Sequence, residues 1–219
     1  MNAEEFVLAL GAENEALLAR LAPDDTLKPE VDGALNVPNL LKVALKNEVE
    51  ATEIAARWLV STTDLDVKLA FARQVGDEAR HYRLIGDRLR ALGFDPDAVD
   101  PLAKGYGPLF AFLDTLTTTV ERVAAGQFTR EAIAVVKNRQ FIAFCERAGD
   151  RETAALYRDV IEPDERYHHD LGRRLLLRLA TTAEAQEAAR RAARKTLELA
   201  EELQVKALAT AGIHHAPGC

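Results

Sequence analysis

Asp77-Glu78-Ala79-Arg80-His81 is followed 87 residues later by Asp164-Glu165-Arg166-Tyr167-His168. Each string is a Glu-x-x-His unit preceded by Asp. On a helix, positions i and i+3 share a face, so each unit can aim a carboxylate and an imidazole at one point. One such unit is common on solvated helix surfaces. Two on the inner faces of one chain would converge on a pair of metal ions. Carboxylate oxygens with one imidazole per ion suit Fe(II) or Mn(II) better than a thiolate-rich zinc site.

The elements that must position these residues read as nearly all helix. A short helix spans about 3 to 21, followed by an irregular segment to Asn36. Asn36-Val37-Pro38 has the form of a helix start, with Asn as cap and Pro in the first turn, and the helix runs from about 38 to 61. Ser61-Thr62-Thr63-Asp64 makes a tight turn in which Asp64 caps the next helix, about 65 to 91. The Pro/Gly/Asp-rich stretch 93 to 107 reads as a crossover. A helical pattern resumes at Pro108, passes Gly126 either unbroken or broken there, and ends near Ala148. After a turn at Gly149-Asp150, a helix from about 151 to 180 contains Pro163, which should kink it or provoke a bulge. Thr181-Thr182 caps a charge-laced last helix from about 183 to 205, which reads as facing solvent or a second subunit. Ala211 to Cys219 reads as a loose tail, with His214 and His215 in it. The expectation is one all-α domain over 1–219. Two helical hairpins joined by a long crossover form a core bundle at 38–178, flanked by 1–37 and 181–219.

A helical wheel tests whether the candidate ligands face inward. On the second core helix Val67, Phe71, Val75, Ile85 and Leu89 form an apolar stripe with Glu78 at its centre and His81 at its edge. On the fourth, Ala154, Tyr157, Ile161, Leu171, Gly172 and Leu175 share a face with His168 and Glu165, while Glu162 and His169 turn aside. A carboxylate in an apolar stripe must be neutralised or paired. Helix 38–61 offers Glu48, Glu50 and Glu53. Glu48 lies among Leu40, Leu41, Ala44, Ala51, Ala55 and Trp58, whereas Glu50 and Glu53 face outward beside Lys46 and Arg57. Glu48 precedes Glu78 by 30 residues with the turn at Thr63 midway, so antiparallel packing brings them level. Glu131 shares a face with Ala134, Val135, Asn138, Ile142 and Cys145, and lies 34 residues before Glu165, with Gly149 roughly midway. Arg130, Lys137, Arg139 and Arg147 should point elsewhere. Glu121, off the stripe, is the reserve. The inventory is four glutamates and two histidines: Glu48, Glu78, His81, Glu131, Glu165 and His168.

That inventory is found in carboxylate-bridged dinuclear bundles, and residues 38–178 resemble the ferritin-like superfamily of di-iron four-helix bundles, which includes rubrerythrins, bacterioferritins and di-iron oxygenases. Asp77-Glu78-Ala79-Arg80-His81 is also similar to the Asp-Glu-x-Arg-His motif of bacterial multicomponent monooxygenases, from which the second unit departs in having Tyr167 where that motif has Arg. The resemblance implies that Glu78 and Glu165 bridge two Fe ions (or Mn, or mixed Fe/Mn). Glu48 and His81 would complete one position, Glu131 and His168 the other. It also implies that Asp77 and Asp164 hold the free nitrogens of the histidines.

Composition narrows the rest. A net charge of −7 and a pI near 5.3 argue against nucleic acid as a partner. No apolar run reaches the ~20 residues that span a bilayer, and the acidic start Met1-Asn2-Ala3-Glu4-Glu5 is unlike a signal peptide; the expected location is the cytoplasm. Two cysteines, Cys145 and Cys219, leave no Cys-x-x-Cys for a zinc ribbon or rubredoxin-type iron. Cys145 reads as a small buried hydrophobe, and Tyr157 as a core tyrosine with one hydrogen bond. The expected function is a di-iron oxidoreductase activating O₂ or peroxide. Ala51, Ala55, Gly76 and Ala132 would leave room for a small organic substrate. A separate electron donor is required, since no Cys₄ iron domain is present, and a homodimer is conceivable. The alternatives are a ferroxidase or iron-handling protein, and a metal-free helical scaffold in which the buried acids pair with Arg80, Arg139 or Arg166.

Overall fold

The structure, a computed structural model, describes residues 1–21, 36–98 and 100–211, with side chains to 205. All regular structure among them is helical: α1 (Ala3–Leu21), α2 (Val37–Ser61), α3 (Leu65–Ala91), a 3-10 turn at Pro96–Ala98, α4 (Pro108–Asp114), α5 (Thr119–Val123), α6 (Glu131–Arg147), α7 (Arg151–Leu156), α8 (Glu162–Leu179) and α9 (Ala183–Ala211). Two π-helical stretches, Ala124–Arg130 and Tyr157–Ile161, join α5 to α6 and α7 to α8, so 119–147 and 151–179 are each continuous. The expected irregular segment falls largely on 22–35, and the expected loose tail on 212–219; both lie outside the described residues, as do Cys219, His214 and His215.

Local chemistry sets the ends. The Asn36 side chain accepts from Asn39 N with Pro in the first turn of α2, and Asp64 accepts from Val67 N at 3.1 Å to open α3. Asp150 caps α7 through Thr153 N, and Thr182 receives Ala185 N at the start of α9. Of the two readings at Gly126 the unbroken one holds, and the interruption after α4 lies at Thr115–Thr118. There Thr118 and Glu121 form a capping box that starts α5, and Gly126 sits inside the π stretch. The second π stretch immediately precedes Pro163, in line with the expected bulge, since the missing proline N–H removes one rung of the α ladder.

α2 and α3 form one hairpin, and the helices 119–147 and 151–179 the other. Glu50 and Glu53 take up the surface pairs read from sequence, with Lys46 at 3.6 Å and Arg57 at 3.7 Å. They also fasten the crossover: Glu50 accepts Gly107 N and Glu53 accepts the Tyr106 hydroxyl. α9 differs from its expected solvent- or subunit-facing role. Its Ala189, Ala192, Ala193, Leu197 and Ala200 are buried against α1, α5 and the first π stretch of the same chain. The reason is an alanine stripe narrow enough for close helix packing, hidden in sequence by the charges on the other side.

Two apolar cores lie along the bundle. One gathers Leu40, Leu41, Ile85, Leu89, Phe141, Tyr157 and Ile161. The other gathers Ile54, Trp58, Phe71, Val123, Phe128, Leu175 and Leu176. On every core helix the candidate ligands fall in sequence between these two sets. No helix among the described residues is long and apolar enough to cross a membrane.

Candidate metal centre

Between the two apolar cores, the six side chains converge. Glu48, Glu78, His81 and Glu165 form one group and Glu78, Glu131, Glu165 and His168 another. Within each group one ligand atom per residue lies within 4.8 Å of all the others. Every member is buried, His81 and His168 completely. Glu78 and Glu165 belong to both groups, so the arrangement is two adjoining positions that share a pair of carboxylates. Such a cluster can hold metal. Glu121, the reserve, is half-buried, is engaged in the α5 capping box and belongs to neither group.

The histidines are held crosswise. His81 Nε2 lies 3.0 Å from Asp164 Oδ2, and His168 Nε2 lies 3.0 Å from Asp77 Oδ2. Each aspartate therefore orients the imidazole of the other unit, leaving both Nδ1 atoms turned to the carboxylates. His81 Nδ1 is 3.3 Å from Glu78, 3.6 Å from Glu48 and 3.7 Å from Glu165. His168 Nδ1 is 3.7 Å from Glu165 and 3.8 Å from Glu78, too far for a hydrogen bond. Arg80 pairs with Asp164, and Arg73 with Asp77 at 3.2 Å, which braces both aspartates from the solvent side.

The donor set fits a pair of divalent ions. His168 Nδ1 and Glu165 Oε2 are buried with no hydrogen-bond partner, a costly arrangement for groups at the centre of a fold. Both face the shared positions. Oxygen and imidazole donors, without thiolate, are those of Fe(II) and Mn(II) sites.

Without metal, protons balance the charge. Burial pushes the Glu48 carboxyl up to about 8, with the Glu78 and Glu165 charges adding to it and His81 opposing. Burial and repulsion from Glu165 raise Glu131 well above the carboxylate range. Burial opposes ionisation of Glu78, but the His81 hydrogen bond and the charges of His168, His81 and Arg130 outweigh it and hold this group well below that range. Burial would depress His168, yet Asp77, Glu165, Glu78 and Glu131 lift it to about 11, and His81 is raised in the same way by Asp164, Glu48 and Glu78. Asp77 and Asp164 are lowered, chiefly by their histidine hydrogen bonds.

Several expectations change. Of the arginines foreseen for a metal-free scaffold, Arg139 and Arg166 both engage the buried Glu162 and Arg80 engages Asp164, so their recorded ion pairs go to acids other than the six candidate ligands. Glu162 turns aside from both ligand groups, as read, but is buried beneath those two arginines. Arg130, expected to point away, is buried with Nη1 3.3 Å from Glu131; the π stretch that ends on it alters the turn on which a regular wheel depends. Val75 is only half-buried and Gln74 takes its place inside, donating to Glu131 Oε1 at 2.5 Å and to Glu78 Oε1 at 3.3 Å. Its position four residues before Glu78 was the available signal. Gly76 is exposed, and so lines no chamber, while Ala132 faces the α1 side. Tyr157 is a core residue, edge-on to Phe141 at 4.8 Å, but its buried hydroxyl has no hydrogen-bond partner. Cys145 is a buried free thiol, in accord with the bland reading.

No family model matches the chain, and no curated protein or solved structure matches it.

Proposed function

We propose that this chain is a dinuclear metalloprotein of the ferritin-like kind that acts as an oxidoreductase on O₂ or peroxide. The observation that carries the reading is the pair of adjoining four-residue groups sharing Glu78 and Glu165. Two iron or manganese ions bound there would supply the electrons for reducing oxygen, replenished by a separate donor. The residues do the rest. Glu78 and Glu165 span both positions; Glu48 with His81 and Glu131 with His168 complete them. Asp164 and Asp77 keep each imidazole proton on Nε2, so that Nδ1 presents its lone pair inward once deprotonated. Gln74 fixes the orientation of Glu78 and Glu131 by its amide N–H. The apolar cores on either side exclude bulk water, which strengthens every charge interaction between them.

Metal analysis tests this directly. Protein loaded anaerobically with Fe(II) or Mn(II) and freed of excess metal should retain two ions per chain, and the reduced iron form should consume O₂ in a single turnover. Glu78→Ala should lose metal and O₂ consumption together. Retention of both by that variant would remove the basis of the proposal.

A further inference from the structure

A cleft of about 770 Å³ lies between α1 and the outer faces of α6 and α8, away from the dinuclear cluster. Its volume is that of a small-molecule site, ~300–1,000 Å³. About half of the wall is apolar, with Val7, Leu8 and Leu18 from α1 facing Phe128, Val135 and Val136. Charge is confined to particular places, and the order of the helices locates them. Arg139 and Arg166 meet at Glu162, while Phe128 stacks on His169 at 4.9 Å, so α6 and α8 run antiparallel along the cleft. The two ends are roughly 15 Å apart at the helical rise. α1 runs with α6, since Asn14 donates to Thr129 and Leu18 packs by Ile133.

At the Arg139–Arg166 end, both guanidiniums donate to the same oxygen of Glu162. One carboxylate between two guanidiniums leaves one positive charge at that point, and further N–H donors on Arg139 that no described residue uses. Of the acids on the lining, Asp170 lies one turn from Arg173 on α8, which offsets it, and Glu15 follows Asn14 on α1, level with Thr129 rather than with Arg139. At the other end, His169 Nδ1 is 2.7 Å from the Phe128 carbonyl and must donate to it. That fixes the ring flat against Phe128 as part of the wall.

We propose that this cleft binds an amphipathic monoanion, an aliphatic chain bearing a carboxylate. The chain lies along α1 over Val136, Ala132 and Phe128, and the carboxylate meets Arg139 and Arg166. A guanidinium presents paired N–H donors that match a carboxylate. An alcohol of equal length gains the apolar contact alone, and an alkylammonium ion meets like charge.

Isothermal titration of the full chain with decanoate, decan-1-ol and decylammonium tests the proposal. Decanoate should saturate one site, decan-1-ol should bind at least about tenfold more weakly, and decylammonium should not bind measurably. Gly11→Leu projects a side chain into the cleft from a position whose Cβ meets nothing nearer than Phe128 Cζ at 4.0 Å. It should abolish binding of both decanoate and the alcohol with an unchanged far-ultraviolet circular dichroism spectrum; Val136→Phe on the facing wall serves if that variant does not fold. Arg139→Gln should weaken decanoate about tenfold and leave decan-1-ol unaltered. Equal affinity for decanoate and decylammonium, or decanoate binding untouched by the filling variant, would overturn it. Metal is not required for any of these readings, so their failure leaves the dinuclear proposal standing, and the reverse.

Discussion

Asp77 and Asp164 each serve the histidine of the opposite unit, which makes a distinctive expectation at the scale of single residues. Asp77→Asn should lower the pKa of His168, now about 11, with little change at His81, as read by NMR of the imidazoles. It should also weaken metal binding by about 10–100-fold, the usual cost of losing such a partner. The proton balance of the cluster gives a second expectation. Glu48, Glu131, His81 and His168 all have raised folded-state values, so the folded metal-free protein holds more protons than the unfolded chain. Its stability should therefore fall as pH rises from 5 to 9, through the Glu48 value of about 8. Metal must displace those protons, so metal affinity should rise over the same interval, with proton release measurable in weakly buffered solution. The six candidate ligands were readable from sequence because a charge in an apolar stripe stands out. Gln74 and Arg130 were not. Gln74 carries no charge to betray it, and Arg130 sits where the helix leaves the 3.6-residue period on which a wheel depends.

Among the elements, two glycines permit close approaches, Gly126 between the two hairpins and Gly172 within the second, each against or inside the first π stretch. A Cβ on Gly126 would fall 2.6 Å from the Trp58 ring, and one on Gly172 would fall 2.7 Å from the backbone at Gln127 and Phe128. Gly172→Ala must displace a helix backbone rather than a flexible side chain, and should cost at the upper end of the ~1–3 kcal/mol typical of overpacking. Gly76→Ala, on the open face of α3 with nothing within 4 Å of the new Cβ, should stabilise by about 0.5–1 kcal/mol. Urea unfolding midpoints of the two variants should move in opposite directions. The helix ends of the first hairpin were legible because Asn36, Pro38 and Asp64 act through local hydrogen bonds. The break at Thr115–Thr118 was less so, since a capping box and a mid-helix glycine compete as signals and only the Trp58 contact explains Gly126. The role of α9 was hidden for a related reason, as its alanine stripe gains meaning only from the helices it meets.

For the molecule as a whole, the candidate centre is flanked by apolar cores and contributed equally by two hairpins, so a metal held there would bind only the assembled fold. Free metal at a hundredfold excess over Kd should stabilise by ~2.7 kcal/mol per ion, about 5 kcal/mol for two, a rise in Tm of about 10–20 °C for a chain of this size. The chelator-treated protein should lose that increment, most completely at high pH, where the metal-free form is weakest. The crossed aspartates carry this dependence further. The first hairpin supplies Glu48, Glu78 and His81, but the group that aims His81 belongs to the second hairpin, and the converse holds for His168. Neither hairpin is a half-sized version of the centre. Each is an unfinished one, and metal cannot act as a template for either alone. Capture of ions at such a centre would then come late in folding, after the hairpins have docked and the crossover has been fastened at Tyr106 and Gly107. A chain interrupted within that crossover would be expected to regain the centre by complementation of its two pieces, and to gain nothing from either piece by itself.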